Sequence, residues 1–458
     1  MASQDRPNLL VLVADDLRYD AIGACSDAPV HTPHLDRLVE DGCTFTRAHN
    51  MGSEHGAVCV PARAMLHSGR SLFRLDGPGN ITTDHPPLGA ALADAGYHTF
   101  GTGKWHNGHE AFNRSFDAGR NVFFGGMDDH WNVPVCDRRP VDEYPSGRSH
   151  RFDPGDRGVV TQQRTYERYA SGRHSSELFA DTLCEYLFDR ADDHRPFFAY
   201  GAFMAPHDPR SAPGEYLAQY DPADLPLSPA VADRHAIDNG YLHTRDEDLA
   251  SHPRDEESIR RHLADYYGII SHLDAQVGRI RAALERTGLA EDTIVVFTAD
   301  HGLAVGRHGL LGKQNVYEHS VRIPLLLSGP GLPEGERRDA FTYHFDLYPT
   351  LAELLGVEPP ATGDGESLVP VIEDDATAHR ETAFTAFGDT QRAVRTDRYK
   401  LIAYERPADP HVQLFDLATD PHETENLAAD PKYADVREQL AATLADARRT
   451  ADDPLLVA

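Results

Sequence analysis

Leu9-Leu10-Val11-Leu12-Val13-Ala14, followed at once by Asp15-Asp16, is an unbroken apolar run that stops on two carboxylates. A continuous run, rather than an alternating one, is what a strand buried on both faces of a parallel sheet requires. Two later stretches share the design. Pro196-Phe197-Phe198-Ala199-Tyr200-Gly201-Ala202-Phe203 leads into Met204-Ala205-Pro206-His207-Asp208-Pro209-Arg210, and Thr293-Ile294-Val295-Val296-Phe297-Thr298-Ala299 ends on Asp300-His301-Gly302. Strands of this kind, each releasing charge or imidazole at its C-terminal end, predict an α/β fold with a ligand site along the carboxyl edge of the sheet. Arg322 to Gly329 supplies a fourth strand. Adjacent carboxylates repel unless a cation lies between them, and hard cations take oxygen ligands. Read alone, Asp15-Asp16 equally fits a polar loop with a helix cap.

Between the strands the periodicity turns helical. Thr32–Asp41 and Pro87–Gly96 read as short helices, the second closed by Gly96. Ser176–Asp189 carries Leu178, Phe179, Leu183, Tyr186 and Leu187 at helical spacing, and Glu256–Leu289 is one long amphipathic helix, or two with a kink. From Asn107 to Arg173 regular periodicity fades, which predicts long loops over one rim of the sheet. Residues 213–253 read as Pro- and Asp-rich loop. Beyond about Pro370 the character shifts to short alternating strands (Thr382–Phe387, Arg392–Thr396, Tyr399–Tyr404, Val412–Asp416) and a closing helix, Pro431–Arg449. The division expected is a catalytic unit over residues 1–372 and a small α+β unit with an antiparallel sheet over 373–458.

The bulk properties narrow the function. A net charge of −29 over 458 residues argues against nucleic acid or an anionic membrane as partner. An anionic substrate therefore needs a local basic pocket. Lysine is scarce: Lys104, Lys313, Lys400 and Lys432 are the only four. Five cysteines without a CxxC spacing read as a reducing compartment. The polar start and the short apolar run after it fit neither a signal peptide nor a membrane span, so the expected location is cytoplasmic.

Two further stretches carry chemistry. In Cys59-Val60-Pro61-Ala62-Arg63-Ala64-Met65-Leu66, Pro61 suits a first helical turn and good helix formers follow. Cys59 then stands at a helix N-terminus, where unpaired N–H groups favour an anion, and Arg63 follows one turn on. Gly96-Tyr97-His98-Thr99-Phe100-Gly101-Thr102-Gly103-Lys104-Trp105-His106 is a short strand entering a glycine-loosened turn that presents a rare lysine and a histidine. Taken singly, each has a plain alternative: a small buried cysteine, solvated charge at a strand end and, for His207, a solvated loop histidine.

Taken together and in this order, the Cys-x-Pro-x-Arg stretch, the Gly-Lys-x-His turn, Pro-His-x-Pro at His207 and the Asp-His pair at Asp300 resemble the type I, formylglycine-dependent sulfatases of the alkaline phosphatase superfamily. The resemblance covers nearly the whole chain, including Tyr-Lys-Leu-Ile and Leu-Phe-Asp-Leu near the C-terminus. Ala62 stands where the commonest form of the signature has Ser, and His301 where many members have Asn. The resemblance implies an alkaline-phosphatase-like α/β/α sandwich with a large, mostly parallel sheet. It implies a sulfuric ester hydrolase acting on an organic sulfate ester, with a sulfated sugar favoured. Cys59 becomes formylglycine through a formylglycine-generating enzyme. Asp15, Asp16, Asp300, His301 and the modified Cys59 hold a divalent cation, Ca²⁺ before Mg²⁺ or Mn²⁺. Lys104, Lys313 and Arg63 neutralise the sulfonate oxygens, His207 protonates the leaving alcohol, and His106 removes a proton from the hydrated aldehyde. Arg210 and His109 are candidate substrate contacts. The alternatives are a phosphonate monoester or phosphodiester hydrolase of the same superfamily, and a non-catalytic sulfate-ester binding protein if Cys59 stays unmodified.

Overall fold

The strand Asn8–Ala14 lies inside an eight-stranded sheet, between Thr293–Ala299 on one side and Phe197–Ala202 on the other. Outward from the first come Leu325–Ser328, Gly42–His49 and Glu336–Tyr343; outward from the second come His98–Lys104 and Ala118–Phe123. All pairings are parallel except the two made by Leu325–Ser328, which runs against its neighbours. This computed structural model describes residues 6–77, 79–153, 158–405 and 411–456.

Every residue of the three predicted central strands is buried, as unbroken apolar runs demand. Helices flank the sheet in two groups. Pro33–Glu40, Ser175–Arg190 and Glu256–Thr287 pack together, and Cys59–Ser68, Leu88–Asp94 and Leu347–Leu354 form the other set. Glu256–Thr287 is a single helix, capped by the Asp255 side chain on Ser258 N and ended by Gly288 at φ 72°. Among the described residues no helix is long and apolar enough to cross a membrane, and all five cysteines are free thiols.

Register places the chemistry. Val13 lies opposite Thr298 and Ala202, and Ala202 opposite Gly103, so these strands end in step. Asp15, Asp300 and Lys104 consequently share one edge of the sheet. Gly103 makes the close approach possible: its φ is +84° and an added Cβ would stand 1.9 Å from the Ala202 carbonyl oxygen. We expect Gly103→Ala to destabilise the fold by about 3 kcal/mol or more, read as a lower urea midpoint at unchanged m-value.

A second sheet joins His411–Asp416, Tyr399–Tyr404, Gln391–Arg395 and Ala383–Phe387 in antiparallel order, with helix Ala434–Thr450 packed on it. Its last strand comes from far upstream. Gly52–Ser53 pairs parallel to Ala383–Phe387, through Ala386 N to Met51 O at 2.9 Å and Gly388 N to Ser53 O at 2.8 Å.

The span 107–173 departs from the long loops expected. It holds the helix Gly108–Ser115, the edge strand Ala118–Phe123, the pair Asn132–Val135 with Arg168–Ser171, and a hairpin of Ser146–Asp153 with Gly158–Thr165. These strands lie at the sheet edge or in two-stranded ribbons. They need no apolar run, and so lacked the signal that marked the centre. Gly42–His49 and Glu336–Tyr343 escaped notice for a related reason, since Thr, Arg and Asp interrupt their apolar residues.

Candidate active site

The turn after the first strand sets two carboxylates at different angles. Asp15 N donates to Ala205 O at 3.1 Å, and Asp16 is forced to φ 70°, a left-handed conformation that a non-glycine residue adopts at a cost. Asp300 N donates to Ala14 O at 3.1 Å, which brings the third carboxylate alongside. Its Oδ1 accepts from Asp16 N and His301 N at 3.3 and 2.9 Å. Asp16 Oδ1 lies 3.1 Å from His301 Nδ1. All four residues are almost wholly excluded from water.

Burying three carboxylates together disturbs their protonation. Burial raises Asp300, and Asp15 pushes the same way, to about 6. Burial also raises Asp16, more than Lys313 and His301 lower it. Asp15 goes down instead, because Lys104, His207 and Arg63 together outweigh its burial. Burial lowers His301, but the Asp300 charge, a hydrogen bond with Cys59 and the Asp16 charge together outweigh it and raise the imidazole to about 9.

The donor set fits a hard cation. Asp15 Oδ1, Asp16 Oδ2 and His301 Nε2 are buried without a hydrogen-bond partner. Donor atoms of Asp15, Asp16 and His301 lie within 4.8 Å of one another, as do those of Cys59, Asp300 and His301. Orphaned acceptors converging in a dry pocket are what a carboxylate-rich cation site presents.

Cys59 opens the helix Cys59–Ser68, only 3% exposed, with its Sγ 3.1 Å from His106 Nδ1. Burial alone raises the thiol, but Lys104 and His106 draw it well below its ordinary value. His106 itself sits at φ 63° and packs on Gly126, where a Cβ would stand 2.5 Å from its ring. Lys104, fully buried, is ion-paired to Asp15. Lys313 Nζ meets Asp16 Oδ1 at 2.8 Å and Asp246 Oδ2 at 3.9 Å.

Arg63 binds three neighbours within the site. Its Nε and Nη2 donate to Asp300 Oδ2, Nη2 also to Asp15 Oδ2 at 2.9 Å, and Nη1 to Lys104 O at 2.7 Å. The guanidinium thus braces two carboxylates and the lysine backbone. His207 lies nearby, Nε2 4.0 Å from Asp16 Oδ2 and Nδ1 2.9 Å from the Asp208 carbonyl.

From His106 and Ala57 a cleft of about 720 Å³ opens outward. His109 lines it and packs on Tyr144 at 4.9 Å. Arg210 does not line this cleft: its guanidinium meets His262 Nδ1 at 3.3 Å, lies 5.8 Å from the Tyr266 ring centroid and feels the Asp16 charge. Several residues of the site carried no signal in the sequence. Asp208 and Asp246 hold Arg245 at the cleft, and Gln314 donates to Asp246 at 2.8 Å. His130 Nε2 contacts His207 O at 3.0 Å, its other nitrogen reaching Ser175 Oγ at 2.7 Å. They sit in aperiodic stretches and become neighbours only through tertiary packing.

Comparison with known proteins gives matches along the whole chain. The Sulfatase family model matches residues 7–357, and a model described as N-sulphoglucosamine sulphohydrolase, C-terminal, matches residues 306–450. The choline-sulfatase of Rhizobium meliloti is 30% identical, over 93% of this chain and 83% of its own. The multifunctional alkaline phosphatase superfamily protein PehA of Trinickia caryophylli is also 30% identical, over 94% and 92%. The crystal structure of the putative sulfatase yidJ from Bacteroides fragilis superposes with a TM-score of 0.78 at 26% identity, covering 99% of this chain and 98% of that one.

Proposed function

The chain belongs to the sulfatase family and is an enzyme of sulfate-ester hydrolysis; from that premise we propose that it desulfates a sugar, with Cys59 oxidised to formylglycine by a maturing enzyme and a divalent cation, Ca²⁺ first, at the three carboxylates. The observation that carries this reading is the meeting of Cys59 with His106, Lys104 and the Asp15–Asp16–Asp300–His301 cluster at one buried sheet edge. The sugar is favoured by the C-terminal match to an N-sulphoglucosamine sulphohydrolase model.

In such an enzyme the hydrated aldehyde supplies a hydroxyl nucleophile for sulfur, and the cation supplies positive charge to the sulfonate oxygens. The chain's own residues do the rest. Asp15, Asp16, Asp300 and His301 hold the cation, with Arg63 fixing the first and third of them. Lys104 and Lys313 add positive charge where a −29 chain otherwise repels an anion. His106, at hydrogen-bond distance from the side chain of residue 59, holds or takes a proton there. His207, beside Asp16, donates a proton to the departing alcohol.

The matured enzyme is expected to turn over 4-nitrophenyl sulfate with a kcat/KM well above that for bis(4-nitrophenyl) phosphate. The opposite order would assign the site to phosphodiester chemistry. Mass measurement of the Cys59 peptide, with hydrazide trapping, reports the aldehyde directly; a free thiol in the native host would contradict the proposal. Dialysis against a chelator is expected to lower Tm and abolish turnover together, both restored by CaCl₂, because the carboxylates repel once the charge between them is gone.

A further inference from the structure

The cleft that leads to His106 has a charge pattern opposite to that of the molecule. The chain carries 73 acidic residues against 44 lysines and arginines. Yet among the described residues lining the cleft the titratable groups are His106, His109, Arg164 and Arg245, and no carboxylate is among them. The arginines come from separate segments, one from the hairpin strand Gly158–Thr165 and one from the loop before helix Glu256–Thr287. Each is held from behind. Arg164 is ion-paired to Asp128, and Arg245 to Asp208 and to Asp246 at 2.5 Å. Those carboxylates stand outside the lining, so an anion entering the cleft meets guanidinium first.

These guanidinium groups stand apart from the lysines at the sheet edge. The ester sulfate is served at the sheet edge by Lys104 and Lys313, which do not line the cleft. Phe124 and Met127, both partly exposed, form an apolar stretch of the same wall, the surface a sugar ring packs on. Resting on the sulfatase reading, we propose that Arg164 and Arg245 form a second anion subsite, and that the substrate is a sugar sulfate bearing a further acidic group, a carboxylate or a second sulfate, beyond the ester that is cleaved. A guanidinium oriented by a carboxylate presents its fork in a fixed plane, which suits either oxyanion.

Binding tests this without chemistry. Unmatured Cys59 enzyme is titrated calorimetrically with N-acetylglucosamine 6-sulfate, with glucosamine 2-N,6-O-disulfate, and with a disaccharide joining an unsaturated uronate to N-acetylglucosamine 6-sulfate. The second anion is expected to tighten Kd by about tenfold or more. Tightening by the disulfate identifies a sulfate as the second group; tightening by the uronate identifies a carboxylate. Arg164→Gln and Arg245→Gln are expected to bring the ratio of affinities close to one, and Arg164→Lys to keep part of it. Equal Kd values for all three sugars in the unsubstituted enzyme, or a ratio indifferent to both Gln variants, would overturn the subsite. Hydrolysis of 4-nitrophenyl sulfate by matured enzyme is measured separately, so failure there strikes the esterase reading and leaves the binding result standing.

Discussion

Cys59→Ala is expected to lower kcat for an aryl sulfate by about 10⁴-fold or more, the scale at which removal of a covalent nucleophile acts. The argument is geometric before it is chemical. Position 59 is where the helix N-terminus, His106 and the carboxylate cluster meet, and Cys59 carries the one thiol of that group among the described residues. Alanine removes one buried sulfur and leaves the helix intact, so Tm should change little while turnover disappears. A variant retaining more than a hundredth of the parent rate, confirmed free of unsubstituted enzyme, would show that another residue attacks.

Arg63→Met is expected to cost about 3–5 kcal/mol of stability, the loss typical when one partner of a buried charge network is deleted. Arg63 is 1% exposed and holds Asp15 and Asp300 through a fork whose third arm reaches the Lys104 carbonyl. Methionine matches much of its volume but strands two carboxylates in a dry site. Arg63→Lys keeps the charge and loses the fork, so it should fall between parent and methionine variant. Urea unfolding measures the series; equal midpoints for all three would mean the bracing is incidental. Added CaCl₂ should stabilise the methionine variant if a cation settles among the same oxygens.

The centre of the fold was legible because its physics writes a strong pattern. Leu9–Ala14, Phe197–Ala202 and Thr293–Ala299 are buried on both faces, and only apolar residues tolerate that. Where they stop, Asp15, Asp16, Asp300 and His301 follow directly, so register alone makes neighbours of them. The cysteine helix was legible from Pro61 and its helix-forming tail. The outer strands were not, because the edge strand Ala118–Phe123 and its counterpart near the other edge, Gly42–His49, carry polar residues among their apolar ones. Arg164, Arg245, Asp208 and Asp246 were illegible for a deeper reason: no local spacing links them, and only the folded cleft makes them a group. Arg63 was legible as a residue of the site, but its grip on Asp15, Asp300 and the Lys104 carbonyl was not, since a sequence says which charge is near and not which way it points.

Gly52–Ser53 has a bearing on biosynthesis. Six residues before the thiol, the chain is clamped into a sheet whose other strands begin at Ala383. During synthesis this clasp cannot shut until the last sixth of the polypeptide has emerged, because its strands do not yet exist. If Cys59 is oxidised as proposed above, a catalyst working before the C-terminal sheet forms would act on a chain not yet clasped there, whereas in the folded protein the side chain is only 3% exposed.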